Sequence, residues 1–148
     1  NDKFQHKLDF VDELTDWFGA ERSAKTPMIA VGDFNIAPLE NDVWDSKKMQ
    51  NVVSHTPIER EKFARFFGGL GWTDAVRRFV PDDKKLYSWW SYRAADWDAA
   101  DKGRRLDHVW VTKPLGGMLK KQQVLREVRG WTQPSDHVPV VVDLDTAA

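Results

Sequence analysis

The chain has 148 residues, enough for one domain that buries roughly 68–70% of the surface its unfolded form exposes. Its 22 Lys and Arg nearly cancel 23 Asp and Glu, so no global field favours nucleic acid or a membrane, and any anion binding has to be local. Cysteine is absent, which excludes disulfides and thiolate metal sites and fits a reducing compartment; no apolar run nears the ~18 residues a spanning helix needs, and no leader pattern opens the sequence.

From Asn1, apolar residues recur at Phe4, Leu8, Val11, Leu14 and Phe18, spacings of three and four that predict an amphipathic helix. Asn1 or Asp2 caps it, and Gly19 to Pro27 ends it. The short apolar run Met28 to Val31 predicts a buried strand that opens into the polar loop "GDFN". Thr56-Pro57-Ile58-Glu59 then sets a capping hydroxyl, a proline at the first helical position and a following Glu, which predicts a helix carrying Phe63, Phe66 and Phe67. Gly68, Gly69 and Gly71 close it, and a helical turn over Thr73 to Arg78 follows. Beyond that point "YSWWSY", "RRLDHVWVT", "QQVLREV" and "HVPVVVDL" read as strands, separated by the polar segments Ala94 to Gly103 and Lys113 to Gly117. Helices that precede a run of strands predict an α+β domain without an internal boundary.

Three polar clusters lie at predicted strand ends: Asp33 and Asn35 in "GDFN", Asp107 in "RRLDH", and Asp136 with His137 in "PSDH". Carboxylates converging with one imidazole and one amide can hold a hard divalent cation, orient a water and contact an anionic oxygen, a set suited to phosphoester hydrolysis. Oxygen donors favour magnesium, and a single histidine makes zinc less attractive. Each cluster also has a plainer reading. Asp and Asn after a strand commonly close a turn on their own backbone, Asp107 can pair with Arg104 or Arg105 inside the fold, and Ser135-Asp136 can simply finish a loop. The combination carries the signal.

"VGDFNIAP", "YSWWSYR", "RRLDHVWV" and "PSDHVPVVVDL", in this order and at these separations, resemble the C-terminal half of the exonuclease III family of abasic-site endonucleases. "GDFN" and "SDH" alone mark only the wider endonuclease/exonuclease/phosphatase superfamily, and "SWWSYR" narrows it. The resemblance runs from the opening "KFQHKLDF" helix to Leu144 and includes Asp74 and Arg77. It implies one half of a four-layer α/β sandwich of the DNase I type, with a mostly antiparallel sheet and helices on one face. It implies magnesium as cofactor, with manganese as a substitute, and double-stranded DNA with abasic or 3′-blocked sites as partner, in a bacterial cytosol.

By position, the resemblance implies that Asp33 activates or orients the attacking water and that Asn35 helps orient it. Asp107 accepts a hydrogen bond from His137, which contacts the scissile phosphate, while Asp136 binds metal. Trp89 matches an aromatic wall against a flipped-out abasic sugar, and Leu106 matches its neighbour in that pocket. Trp90 and Trp110 read as core residues on strand faces. Trp97, in the polar loop "AADWDAADKGRR", reads as a DNA contact, and Arg93, Lys102 and Arg104 as local phosphate contacts. The family's first half carries a metal-binding Glu, an Asn and a Tyr, and no segment before "GDFN" matches it. The expectation is therefore a fragment, inactive alone, with an uncovered inner sheet face that pairs face to face with a second copy or swaps elements with it. Two further readings are a phosphatase acting on inositol or small phosphate esters, and an interaction module that keeps the sheet without catalysis.

Overall fold

The computed structural model describes residues 1–147. In chain order its elements are α1 (Asp2–Glu21), β1 (Ile29–Asp33), α2 (Pro57–Gly69), β2 (Thr73–Asp74), β3 (Trp89–Trp90), α3 (Trp97–Ala100), β4 (Gly103–Arg104), β5 (Asp107–Val111), α4 (Lys113–Gly116), β6 (Leu119–Val124) and β7 (Val140–Leu144), with 3-10 turns at Glu40–Asp42 and Arg126–Gly130. Both long helices form for the reasons their sequences give. The Asn1 side chain caps α1 by accepting the Lys3 N–H at 2.9 Å. Thr56 and Glu59 cap α2 reciprocally, each side chain accepting the other's backbone N–H.

α1 and α2 pack together over an aromatic core in which Phe63, Phe66, Trp72 and Trp110 are buried with Val11 and Ile36. Phe34 stacks on Trp110 at 5.9 Å between centroids. Beneath them β5 is the centre of a three-stranded antiparallel sheet in the order β1-β5-β2. In the β1–β5 register Asp33 lies opposite Asp107, so two carboxylates reach the same end of the sheet. A separate antiparallel pair, β6–β7, lies across from β5 and covers Val109 and Val111 with Leu119, Val142 and Leu144.

The expected buried strand at Met28 to Val31 is instead an edge strand shifted to Ile29–Asp33, with Ile29 53% and Val31 65% exposed. The helices cover one face of this strand, where Ala30 meets the core, and the β6–β7 pair stops short of the other. "YSWWSY" contracts to the two-residue β3 because its backbone is divided among several partners. Ser88 N–H donates to the Arg104 carbonyl, its own carbonyl accepts Val138 N–H, and Trp90 N–H donates to the Asp136 carbonyl. "QQVLREV" ends as a strand at Val124 and continues as a 3-10 turn from Arg126. The two polar separators each hold a short helix, α3 and α4, and the expected turn from Thr73 begins as strand β2.

Close packing dictates one glycine. A Cβ on Gly103 would lie 2.4 Å from the Tyr87 ring, so only glycine lets β4 run against that aromatic. Beside it a buried ion network ties the sheet to the loops: Asp42, fully buried, accepts from Arg77 at 2.7 Å and from Arg105 at 2.8 and 2.9 Å, and Arg105 also reaches Asp74 at 2.7 Å. Among the described residues no helix is long and apolar enough to cross a membrane.

Candidate active site

Three loops meet at the carboxyl end of β1, the start of β5 and the approach to β7. His137 sits between two carboxylates, its Nδ1 at 2.8 Å from Asp107 Oδ2 and its Nε2 at 3.5 Å from Asp33 Oδ2. A carboxylate can only accept, so Nδ1 carries the proton toward Asp107. Burial alone would lower the pKa of this imidazole, but the hydrogen bond and charge of Asp107, with the charges of Asp33 and Asp136, outweigh it and raise the pKa above 6.5. The protonated ring is therefore favoured, and in that form it can donate to an anionic oxygen.

Asp33 does what both its readings require. Its Oδ1 accepts the Asn35 N–H at 2.9 Å, closing the turn, while Oδ2 faces His137. Asn35 is exposed and holds a left-handed backbone at φ 52°, a conformation asparagine tolerates better than most residues. Lys7 of α1 donates to its carbonyl at 3.0 Å and is ion-paired to the buried Glu59. The loop is also held from beneath by His108, whose Nε2 donates to the Ile36 carbonyl at 2.8 Å; burial pushes this histidine down to about 4, so it is neutral.

Asp107 is not paired with either neighbouring arginine. Arg105 is committed to Asp42 and Asp74, and Arg104 donates to the Val53 carbonyl and Ser54. Its partner besides His137 is Ser88, whose buried hydroxyl donates to Asp107 Oδ2 at 2.7 Å and accepts the N–H groups of Leu106 and Asp107 at 3.0 and 3.1 Å. Ser88, Lys7 and His108 escape sequence reasoning, because nothing local marks a serine, a helix-face lysine or a strand histidine as a support for a residue many positions away.

Asp136 stands apart from the Asp33, Asp107 and His137 group, whose ligand atoms lie within 4.8 Å of one another. Its Oδ2 accepts the Trp89 indole N–H at 3.0 Å. Trp89 is half-buried, with the Arg104 guanidinium 4.9 Å from its ring, and with Leu106, Asp33 and Asn35 it lines a groove of about 1310 Å³ between α1 and the free edge of β1. Leu106 is buried at the base of this wall. Trp90 and Trp110 are core residues. Trp97 does not project into solvent: it packs edge-on against Trp90 at 5.5 Å, beneath Arg126 at 4.7 Å. Arg93 is exposed near it. The donor set fits a hard divalent cation, with carboxylate oxygens from Asp33 and Asp107 converging and a third carboxylate, Asp136, nearby.

The model of the Endonuclease/Exonuclease/phosphatase family matches residues 1–137. The chain belongs to that family. A curated member, an exodeoxyribonuclease of Bacillus subtilis (strain 168), is 32% identical over 139 residues, covering 94% of this chain and 52% of its own length. Among solved structures, an AP endonuclease from Archaeoglobus fulgidus superposes with a TM-score of 0.92 at 26% identity, over 99% of this chain and 56% of that one. The 3′-5′ exonuclease NExo from Neisseria meningitidis gives 0.88 at 32% identity, over 98% and 56%. The chain thus spans about half the length of the curated relatives it matches. Its α+β, DNase I-like fold is shared with these nucleases. Endonuclease/exonuclease/phosphatase enzymes are in general metal-dependent, which agrees with the acidic cluster.

Proposed function

We propose that the protein is a magnesium-dependent DNA repair nuclease of the exonuclease III type, which hydrolyses the phosphodiester 5′ to an abasic site and trims 3′ ends. The observation that carries this reading is the imidazole held between two carboxylates, one of which, Asp33, lines the groove walled by Trp89. The relatives' descriptions as exodeoxyribonuclease and AP endonuclease support it.

The roles follow from what each group can donate or accept. Asp33 accepts the proton of an attacking water and Asn35 fixes its direction, since both lie at the exposed end of β1. His137, charged through Asp107, donates to a phosphoryl oxygen and stabilises charge as the 3′ oxygen departs. Trp89 and Leu106 form the wall against which a base-free sugar rests, and the exposed Arg93, with Trp97 beside it, lies in the adjoining cleft within reach of the flanking strand. Asp136 would help hold magnesium, or manganese in its place, next to the Asp33 and Asp107 carboxylates, and the ion would supply Lewis-acid neutralisation of phosphoryl charge. The proposal includes a second half-domain that contributes a Glu carboxylate, in keeping with the chain's half share of its relatives.

The test is incision of a duplex bearing a single abasic analogue by the full-length protein. Magnesium-dependent cleavage 5′ to the lesion, abolished by chelation and reduced about 10²-fold or more in His137→Ala, is the expected result. An inert abasic duplex alongside hydrolysis of inositol phosphates would overturn the reading.

A further inference from the structure

From Asn35 to Pro38 the chain lies outside any strand or helix, and a side chain from elsewhere holds each carbonyl of that run. Lys7 donates to the Asn35 carbonyl at 3.0 Å, and His108, His55 and Arg60 donate to those of Ile36, Ala37 and Pro38, each at 2.8 Å. The donors come from α1, β5, the turn before α2, and α2 itself. Ile36 and Ala37 are fully buried, so their backbone groups need partners where no ladder supplies them. Of these four donors only Lys7 bonds a residue of the site. The Asn35 N–H donates to Asp33 Oδ1 at 2.9 Å, so the two backbone groups of Asn35 are tied to Asp33 and to Lys7. Its left-handed φ of 52° is a conformation that persists where the surroundings fix it.

Lys7 is itself directed. Its ammonium pairs with Oε2 of Glu59, which is fully buried and whose Oε1 accepts the N–H groups of Ser54 and Thr56. The Asn35 side chain is exposed, so its direction follows from its backbone. We propose that Lys7 is a positioning residue: by fixing the Asn35 carbonyl it aims the Asn35 side-chain amide at the attacking water, with Glu59 holding the ammonium in place. The assignment rests on the nuclease reading for the step that Asn35 serves. Lys7 also lines the groove, so contact with a DNA phosphate is the rival role. Its commitment to Glu59 favours positioning.

Steady-state incision of an abasic duplex by the full-length protein tests it, read together with the Asn35 backbone amide signal in NMR. Lys7→Met is expected to lower kcat about tenfold or more with KM unchanged, the scale on which a misaimed group slows a reaction, and to shift the Asn35 signal. Because that change leaves the buried Glu59 carboxylate without its partner, both measurements are repeated on Lys7→Met with Glu59→Gln, which removes the stranded charge. Lys7→Arg, which keeps a cationic donor, should recover most of kcat. In an Asn35→Ala background Lys7→Met should lower kcat no further. Lys62→Met breaks an ion pair between α1 and α2 away from the loop, to Asp12 at 2.5 Å, and should leave kcat as in wild type. A raised KM at unchanged kcat, with a flatter salt dependence of binding, assigns Lys7 to a phosphate and overturns the proposal. An additive loss in the Asn35→Ala background overturns it too. Incision with kcat indifferent to Lys7 refutes the positioning role and spares the nuclease reading. No incision by wild type, with an Asn35 signal that moves in the Lys7 variants, refutes the nuclease reading and spares the hold of Lys7 on Asn35.

Discussion

His137 gains its character from two neighbours that belong to different strands, and its titration is the most direct readout of the site. A histidine whose folded pKa exceeds its unfolded value adds stability that is complete below the unfolded value, near 6.5, and is lost as pH rises through the folded pKa. The ring protons of His137 should titrate in NMR with a midpoint above 6.5, and Asp107→Asn should bring that midpoint down by removing the hydrogen-bonding acceptor charge. A wild-type midpoint at or below 6.5 would contradict the arrangement. "RRLDH" and "SDH" each set a polar residue at a strand end, but it was the family resemblance that implied the pairing of Asp107 with His137, which the 2.8 Å contact now shows. The placing of Asp136 was legible from neither: its bond to the Trp89 indole joins residues 47 apart, and "SDH" gives no hint that the Asp of the pair faces an aromatic while the His faces the acids.

Among the elements, the short segment from Ser88 to Trp90 does more than its two-residue ladder suggests. Its hydroxyl holds Asp107 and two amides, its carbonyl and N–H groups hold Arg104, Asp136 and Val138, and it therefore sets the spacing between the acid and the histidine loops. Ser88→Ala should cost about 1–3 kcal/mol in urea unfolding, since it leaves buried donors without an acceptor, and Ser88→Thr should recover most of that loss. If Ser88→Ala unfolds like wild type, the segment is not the spacer described here. Periodicity and capping were enough to place α1 and α2, whose signals are local. The aromatic run "YSWWSY" misled toward a longer strand because aromatic residues favour pleated backbone whether or not a partner strand exists. Here the hydrogen-bonding groups go to loops instead. The bland reading of Asp107 failed for a related reason: Arg105 turns to Asp42 and Asp74, partners 63 and 31 residues away, and Arg104 to the Val53 carbonyl and Ser54.

At the scale of the whole molecule, helices cover one side of the three-stranded sheet and a two-stranded pair covers part of the other. Ile29 and Val31 remain open on that second side, next to the unpaired edge of β1. An apolar strip beside free backbone donors and acceptors favours association. The 148-residue chain by itself should sediment as a dimer or larger species at micromolar concentration, and Ile29→Lys with Val31→Lys should return it to a monomer. A wild-type monomer would show that this face is content in water. The α+β class was readable from the order of helices and strands and the open face only through the resemblance to half of a sandwich, whereas the edge position of β1 was not readable, because a short apolar run looks the same in the centre of a sheet and at its rim.

Trp89 joins two parts of the molecule that are far apart in the chain. Its ring lines the groove between α1 and β1 and a second, smaller cleft, and its indole N–H is anchored to Asp136. Any change that moves this ring therefore also frees the Asp136 carboxylate from its donor, so the orientation of the residue next to His137 is set by an aromatic 47 positions away.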